Sequence, residues 1–346
     1  MDYRLIQFWP RIQVHWNDNG TLWASRGRDI ITSSDNGQSW RKVTRLPTRP
    51  ADRWLGVVEP SRRLLRLDIR SYLQLNSHEF MVFRNGEIFL WRHGDTQPMC
   101  IGQMRRGQGP LPQGSCVDDN GNCYYGEYWR NPQYEDVNIY TWRRDEAVWQ
   151  LFYAFAPGAI RHIHAVQFDP FSRTLWVATG DQDSESNIGY FDTALFPTRM
   201  ITVASGGQMA RAVSLLFTRE YVYWGSDRTD GEENYVYRWC RVTKKIEQIA
   251  RVGGPVYYST ISQDERLFVS TIVEGCASER DSFARVWMSV NGVDWHEIRR
   301  WKKDVWPFIF GNGVLFFPGG STPEGKMYVV GSGVQKAPGT WVLAAN

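Results

Sequence analysis

No window of the 346-residue sequence approaches 18 consecutive apolar positions, so no membrane-spanning helix is expected. The opening Met1-Asp2-Tyr3-Arg4-Leu5-Ile6 has no basic segment followed by an apolar run, and no secretory signal is read there. Cysteine is scarce. The five are Cys100, Cys116, Cys123, Cys240 and Cys276, an odd count without a C-x-x-C pair. That pattern favours a reducing compartment, and with it the cytoplasm, over a disulfide-stapled fold. Cys116 and Cys123 flank the turn Asp118-Asp119-Asn120-Gly121, and a hairpin there would set them opposite each other, the one bridge to test. Charge of one sign is lacking too: 40 Lys+Arg stand against 37 Asp+Glu, a formal +3 without a concentrated run. No nucleic-acid or membrane-surface partner is expected. Also absent are the phosphate-cradling G-x-x-x-x-G-K-[ST], a helix-opening G-x-G-x-x-G, the G-x-S-x-G elbow and H-E-x-x-H.

What is abundant is aromatic. Seventeen Trp, 16 Tyr and 17 Phe make 14% of the chain, with 31 Gly between them, a composition that excludes disorder and helical bundles. Alternating runs of Trp, Tyr, Phe, Val and Ile, broken by Gly/Asn/Asp turns, recur about every 45 residues. The clearest unit holds His164 to Pro170, Thr174 to Asp181, Asn187 to Phe191 and Met200 to Val203, four strands A to D. The next two repeat it from Ala212 to Val252 and from Val256 to Ile298. Similar sets fit 11–47, 66–104 and 113–155. The tail 308–346 offers three strands, and Tyr3 to Phe8 supplies a fourth that closes the ring. The reading is an all-β propeller of seven four-stranded blades, a single domain over 1–346. Six blades is the alternative, because 48–66 is irregular.

One turn carries a family resemblance. Ser33-Ser34-Asp35-Asn36-Gly37-Gln38-Ser39-Trp40 fits S-x-D-x-G-x-x-W, and Ser289-Val290-Asn291-Gly292-Val293-Asp294-Trp295 is a shortened copy with Asn for Asp. These resemble the Asp boxes of the sialidase superfamily and other BNR-repeat propellers. Both stand at the C–D turns where that family carries them. The resemblance implies the propeller architecture and does not name a chemistry. The Arg-Ile-Pro of true sialidases is replaced here by Arg11-Ile12-Gln13, so the family's catalytic residues are not transferred.

Propeller geometry gives a second route to a site. The start of strand A and the end of strand B emerge on one face, with A nearest the central channel. Starts of A collect Arg161, His162, His164, Arg211, Tyr257 and Tyr258, and less securely Arg70. Ends of B collect Arg26, Arg28, Arg84, Glu127, Tyr128, Trp129, Arg130, Asp181, Asp227 and Glu274, with Trp224 beside them. A concave mouth with convergent polar groups and aromatic walls suits a small ligand.

The catalytic candidates are His162, His164, Glu127, Asp181 and Tyr257. The substrate-binding candidates are Arg161, Arg211, Arg130, Trp129, Trp224, Asp227, Glu274 and Tyr258. His162 and His164 alternate along a strand and share a face. They could act as general bases, with no cofactor, or as ligands of a divalent metal whose third ligand the spacing does not supply. A glycosidase would use the carboxylates, Glu127 and Asp181 first, at about 5–5.5 Å for retention or about 6.5–9.5 Å for inversion. A polysaccharide lyase would use Arg161 to neutralise a uronate, and His162, His164 or Tyr257 to take its proton. Clustered Arg residues favour an anionic sugar. The leading expectation is thus a monomeric carbohydrate-active enzyme cleaving an acidic glycan. A non-catalytic glycan- or protein-binding propeller is the alternative.

Overall fold

The computed structural model describes residues 3–49, 56, 58–192 and 198–346. Seven antiparallel sheets form a ring. Blade 1 consists of Gln13–Asp18, Thr21–Arg26, Asp29–Ser33 and Arg41–Arg45, and blade 2 of Ser71–Asn76, Glu79–Arg84, Glu87–Arg92 and Met99–Gln103. Blade 3 runs through Ser115–Val117, Cys123–Gly126, Val137–Arg143 and Val148–Phe155. Blade 4 is Ile163–Asp169, Thr174–Thr179, Asn187–Asp192 and Arg199–Ser205. Blade 5 is Leu215–Phe217, Tyr221–Gly225, Asn234–Cys240 and Ile246–Val252, and blade 6 is Val256–Ile261, Leu267–Thr271, Phe283–Ser289 and His296–Lys302. Blade 7 takes Val314–Phe316, Lys326–Ser332 and Gly339–Ala345 from the C-terminal end and Tyr3–Pro10 from the N-terminal end. The count is seven, as the repeat predicts. Among the described residues no helix is long and apolar enough to cross a membrane.

Alternation explains the blades. In Leu267–Thr271 both faces are buried, because neighbouring blades cover each side, and Phe268 and Val269 point into different core clusters. Outer strands such as Ile246–Val252 keep one wet face. Trp176 and Trp224 are almost completely buried and join the packing between blades 4 and 5. Sheet-to-sheet burial of this kind, not secondary-structure propensity, holds a ring together.

Turn chemistry sets the registers. Asn19 and Gly20 both have positive φ, and a two-residue hairpin follows, as Asn-Gly predicts. In the Ser33–Trp40 turn, the Asp35 carboxylate accepts from the Ser33 hydroxyl (2.7 Å) and from the Ser39 N–H (2.9 Å) and hydroxyl (2.6 Å). Gly37, at φ +81°, lies against the Trp9 indole, where a Cβ would come within 2.0 Å of the ring. The one cysteine bridge left to test is excluded by one residue of register. Cys116 pairs with Tyr124 and Cys123 with Val117, so the two thiols sit on opposite faces and both are free.

The six-bladed alternative rested on 48–66. Residues 50–55 and 57 lie outside the described residues, and Glu59–Leu64 forms a short helix leading into blade 2. From it Arg63 reaches across the ring, donating to Asp304 (2.6 Å) and to the Phe310 carbonyl (2.9 Å).

Ring closure is antiparallel pairing of Tyr3–Pro10 with Gly339–Ala345. Buried Thr340 ties this blade to the next, accepting from the Val14 N–H (3.1 Å) and donating to the Ile12 carbonyl (2.8 Å). Thr340→Val keeps the shape and orphans both backbone groups, each costing about 1–3 kcal/mol. A drop in the urea midpoint of thermally intact protein should follow; an unchanged midpoint would show that the closure does not depend on this hydroxyl.

Candidate functional site

Inner strands are not regular at their starts. The pairing skips His15 between Val14 and Trp16, His164 between Ile163 and Ala165, and Tyr257 between Val256 and Tyr258. These bulges stand at the same place in blades 1, 4 and 6. A bulge re-aims a side chain without ending the strand. Tyr257 and Tyr258 are strand neighbours, yet with the bulge both line the central cavity of about 680 Å³. The same cavity touches Tyr128 and Arg70.

Beside it blades 4, 5 and 6 place a charged cluster. The Nε2 atoms of His162 and His164 lie 3.0 Å apart, and each is 3.4 Å from Oδ1 of Asp181. Asp181 owes its position to Gly180, at φ +107°, where a Cβ would come within 2.6 Å of the Ser186 backbone. Two guanidiniums approach the same carboxylate, Arg211 at 3.4 Å and Arg161 at 3.7 Å. Arg211 also bonds Asp227 (3.1 Å), and the Tyr257 hydroxyl donates to Glu274 (3.2 Å). The Tyr128 ring packs on His162, centroids 4.5 Å apart.

Electrostatics divide the three carboxyl groups. Burial raises Asp227 well above the usual range, with Arg211 working against it and Glu274 adding repulsion. Glu274 is raised by burial as well, opposed by Arg211 and the Tyr257 hydroxyl. Oδ1 of Asp227 and Oε1 of Glu274 are buried without a hydrogen-bond partner among the described residues. Each carboxylate's negative charge thus disfavours ionisation of the other. Burial works against ionised Asp181 too, and the group is held below the usual carboxylate range where a proton or other cation sits between it and the imidazole Nε2 atoms. His164 is lowered to about 4, chiefly by burial, and is neutral near pH 7.

Six of the expected residues therefore converge directly: Arg161, His162, His164, Asp181, Arg211 and Tyr257. Asp227 and Glu274 complete the group, and Tyr258 lies beneath Tyr257, rings edge to face at 5.8 Å. Others are placed elsewhere. Glu127 turns into its own blade, accepting from the Asn138 N–H (2.9 Å) near Arg105 and Arg106. Alternation at the strand end sends Tyr128 to the mouth in its stead. Trp224 is core, 1% exposed, its indole N–H on the Met209 carbonyl (2.9 Å). Trp129 contributes its carbonyl to His162, while its ring sits under Arg106 at 4.9 Å. Arg130 is exposed, and Arg84 is buried with its Nε on the Leu67 carbonyl (2.7 Å). Arg28 donates to the Leu46 carbonyl (3.3 Å), and Arg26 is exposed.

Two residues were missed. Tyr134 accepts from Arg161 (2.9 Å), and buried Glu185 accepts from the Arg161 N–H (2.6 Å) and the Gln182 N–H (2.9 Å). Both stand in B–C loops and not at strand ends. The Gly180-to-Asn187 turn and the Asn131–Tyr134 turn carried signals, but nothing in them pointed to Arg161.

Neither a family model nor a curated protein matches the chain. Solved structures share the fold. The WD40 propeller domain of Doa1 aligns at TM-score 0.61 and 12% identity, over 99% of this chain and 97% of that one. A chain of the mitotic checkpoint complex aligns at TM-score 0.62 and 8% identity, covering 99% and 94%. An ancestral GH74 enzyme aligns at TM-score 0.56 and 11% identity over 97% of this chain, which spans 45% of that one. Likeness at this level is to the propeller architecture.

Glu127 gives a check on its placement. Burial raises its carboxyl from 4.5 to about 7, against the Asn138 N–H and Arg105. The folded chain thus retains a proton that the unfolded chain has released. That stabilisation is complete below pH 4.5 and is lost as pH rises through about 7. Glu127→Gln should match the wild type in acid and exceed it at pH 8, by at most roughly 3 kcal/mol. Parallel melting-temperature profiles for the two proteins would refute the buried placement.

Proposed function

We propose that this propeller is a carbohydrate-active enzyme that hydrolyses glycosidic bonds in an acidic glycan at the mouth built by blades 4, 5 and 6. The observation that supports it is the division of carboxyl groups within one pocket. Burial raises Glu274 beside Asp227, while Asp181 is lowered beside two guanidiniums and two imidazoles. Glycosidases need such a pair, one carboxylic acid to protonate the leaving oxygen and one carboxylate to act as base or nucleophile.

Glu274 suits the acid because it is the more open of the two raised carboxyl groups, and the Tyr257 hydroxyl fixes its orientation. Asp181 is the ionised partner. Arg161, one-third exposed at its side chain, is the cation best placed to meet a carboxylate of the sugar, with its guanidinium braced on Tyr134. Tyr128 and Tyr257 offer apolar ring faces at the cavity edge. The likeness to the GH74 enzyme agrees with this reading at the level of fold only.

A lyase remains the second reading, favoured by one contact: Tyr257 stands within reach of Arg211 and Glu274, the kind of setting that proton abstraction beside a neutralised uronate requires. Reaction products separate the two. Uronate- and sialate-containing oligosaccharides should yield new reducing ends without ultraviolet absorbance, whereas an unsaturated, absorbing product assigns a lyase. Glu274→Gln should lower kcat/KM by roughly 10²–10⁴-fold with an unchanged melting temperature. Binding of these glycans without turnover would reject the enzyme and leave a binding propeller.

A further inference from the structure

The ring nitrogens of His162 and His164 that face away from Asp181 both meet backbone carbonyls. Nδ1 of His162 is 2.9 Å from the Trp129 carbonyl, and Nδ1 of His164 is 3.2 Å from the Ala212 carbonyl. A carbonyl can only accept, so each Nδ1 carries the proton. The tautomer of both rings is thereby fixed by main-chain atoms. In the neutral rings Nε2 is then a lone pair. Two lone pairs point at each other across 3.0 Å and at a carboxylate oxygen across 3.4 Å. An arrangement of three electron-rich atoms, two on buried imidazoles, requires a cation among them.

We infer that His162, His164 and Asp181 form a binding site for a divalent first-row metal ion of the zinc or manganese type. The dimensions fit. Ligand atoms about 2.0–2.1 Å from a metal stand roughly 3.0–3.4 Å from one another at octahedral to tetrahedral angles. The observed triangle has sides of 3.0, 3.4 and 3.4 Å. Imidazole ligands whose second nitrogen donates to a carbonyl are the usual arrangement around bound metals, because that bond orients the ring and raises its basicity. Two histidines and one carboxylate occupy one face of the coordination sphere and leave the others open.

The open side takes an oxygen donor, and a carboxylate of the acidic glycan has the right chemistry. Arg211 shares the same Asp181 oxygen at 3.4 Å, so the metal must compete with a guanidinium. A single proton shared by the two imidazoles is the rival occupant. With a metal in place Asp181 is a ligand and cannot be the free base or nucleophile of the hydrolysis proposed above, so the two roles of Asp181 exclude each other. The site stands independently of the glycan reading: absence of turnover by the metal-free protein would sink the enzyme assignment and leave the metal site intact.

The test uses untagged full-length protein, stripped with a chelator and titrated calorimetrically with Zn²⁺, and in parallel with Mn²⁺. Co²⁺ binding followed by visible absorption reports the ligand field. One saturable site per chain is expected. His162→Ala, His164→Ala and Asp181→Asn should each weaken it at least tenfold, with melting temperatures of the metal-free variants reported alongside. His93→Ala is the control, since exposed His78 and His93 sit with ring centroids 5.8 Å apart and are the other histidine pair able to capture zinc. It should leave the site unchanged. Absence of saturable binding to the wild type, or binding abolished by His93→Ala and untouched by the three triad variants, overturns the inference in favour of the shared proton.

Discussion

In a ring of sheets each blade buries both faces only if it has a neighbour on each side. Pairing of Tyr3–Pro10 with Gly339–Ala345 supplies the last neighbour. The closure is more than a ladder of backbone bonds. Thr340 reaches from blade 7 to Ile12 and Val14 of blade 1, and the Arg11 N–H meets the Pro338 carbonyl at 2.9 Å. Core clusters then run between sheets. One joins Phe268, Val286 and Met288 of blade 6 to Leu315, Val329 and Trp341 of blade 7, and another joins Trp176 of blade 4 to Trp224 and Trp239 of blade 5. Burial on that scale outweighs the cost of ordering so many loops.

Closure also decides where chemistry can occur. Seven inner strands begin around one opening, so residues dozens of positions apart become neighbours there. Regular strands would point alternate residues into the blades. The bulges at His164 and Tyr257 break that rule and bring extra side chains to the opening, while the bulge at His15 ends differently, on the Ser25 hydroxyl at 2.7 Å and stacked on Tyr72. The same backbone device therefore serves a charged cluster in blades 4 and 6 and a closed polar contact in blade 1. Two buried carboxyl groups have guanidinium partners: Asp227 has Arg211 at 3.1 Å, and fully buried Asp169 has Arg241 at 2.6 Å.

Blade period and blade number were legible because they are written in side chains. Alternating apolar runs and Asn-Gly or Asp-containing turns follow directly from burial and φ preference. The site was half legible. Strand starts and ends named its members, since position along a strand predicts which end of the ring a residue reaches. Direction was not legible. Glu127 and Tyr128 differ by one residue, and only the register of blade 3 decides that the tyrosine faces the mouth. Trp224 fell to the core for the same reason, and Cys116 missed Cys123 by a single step. Asp181, the third member of the histidine cluster, was named without being seen as their partner, because its approach depends on the turn at Gly180. The carbonyls of Trp129 and Ala212, which set the tautomers of both histidines, are main-chain atoms that any residue would carry.

Charge balance connects the two functional readings. Around the mouth the guanidiniums of Arg161 and Arg211 face Asp181, Asp227 and Glu274, both raised by burial, and Glu185 behind Arg161. Without a further cation this pocket has no surplus of positive charge to offer an anionic sugar, even though its arginines suggest one. The guanidinium of Arg211 is already divided between two carboxylates. A divalent ion on the imidazole nitrogens would reverse that balance by two charges and release Arg211 toward Asp227. The same ion would satisfy the facing lone pairs of His162 and His164, which a neutral sugar could not do. If both proposals hold, selection of an acidic ligand and occupation of the histidine triad answer one electrostatic requirement.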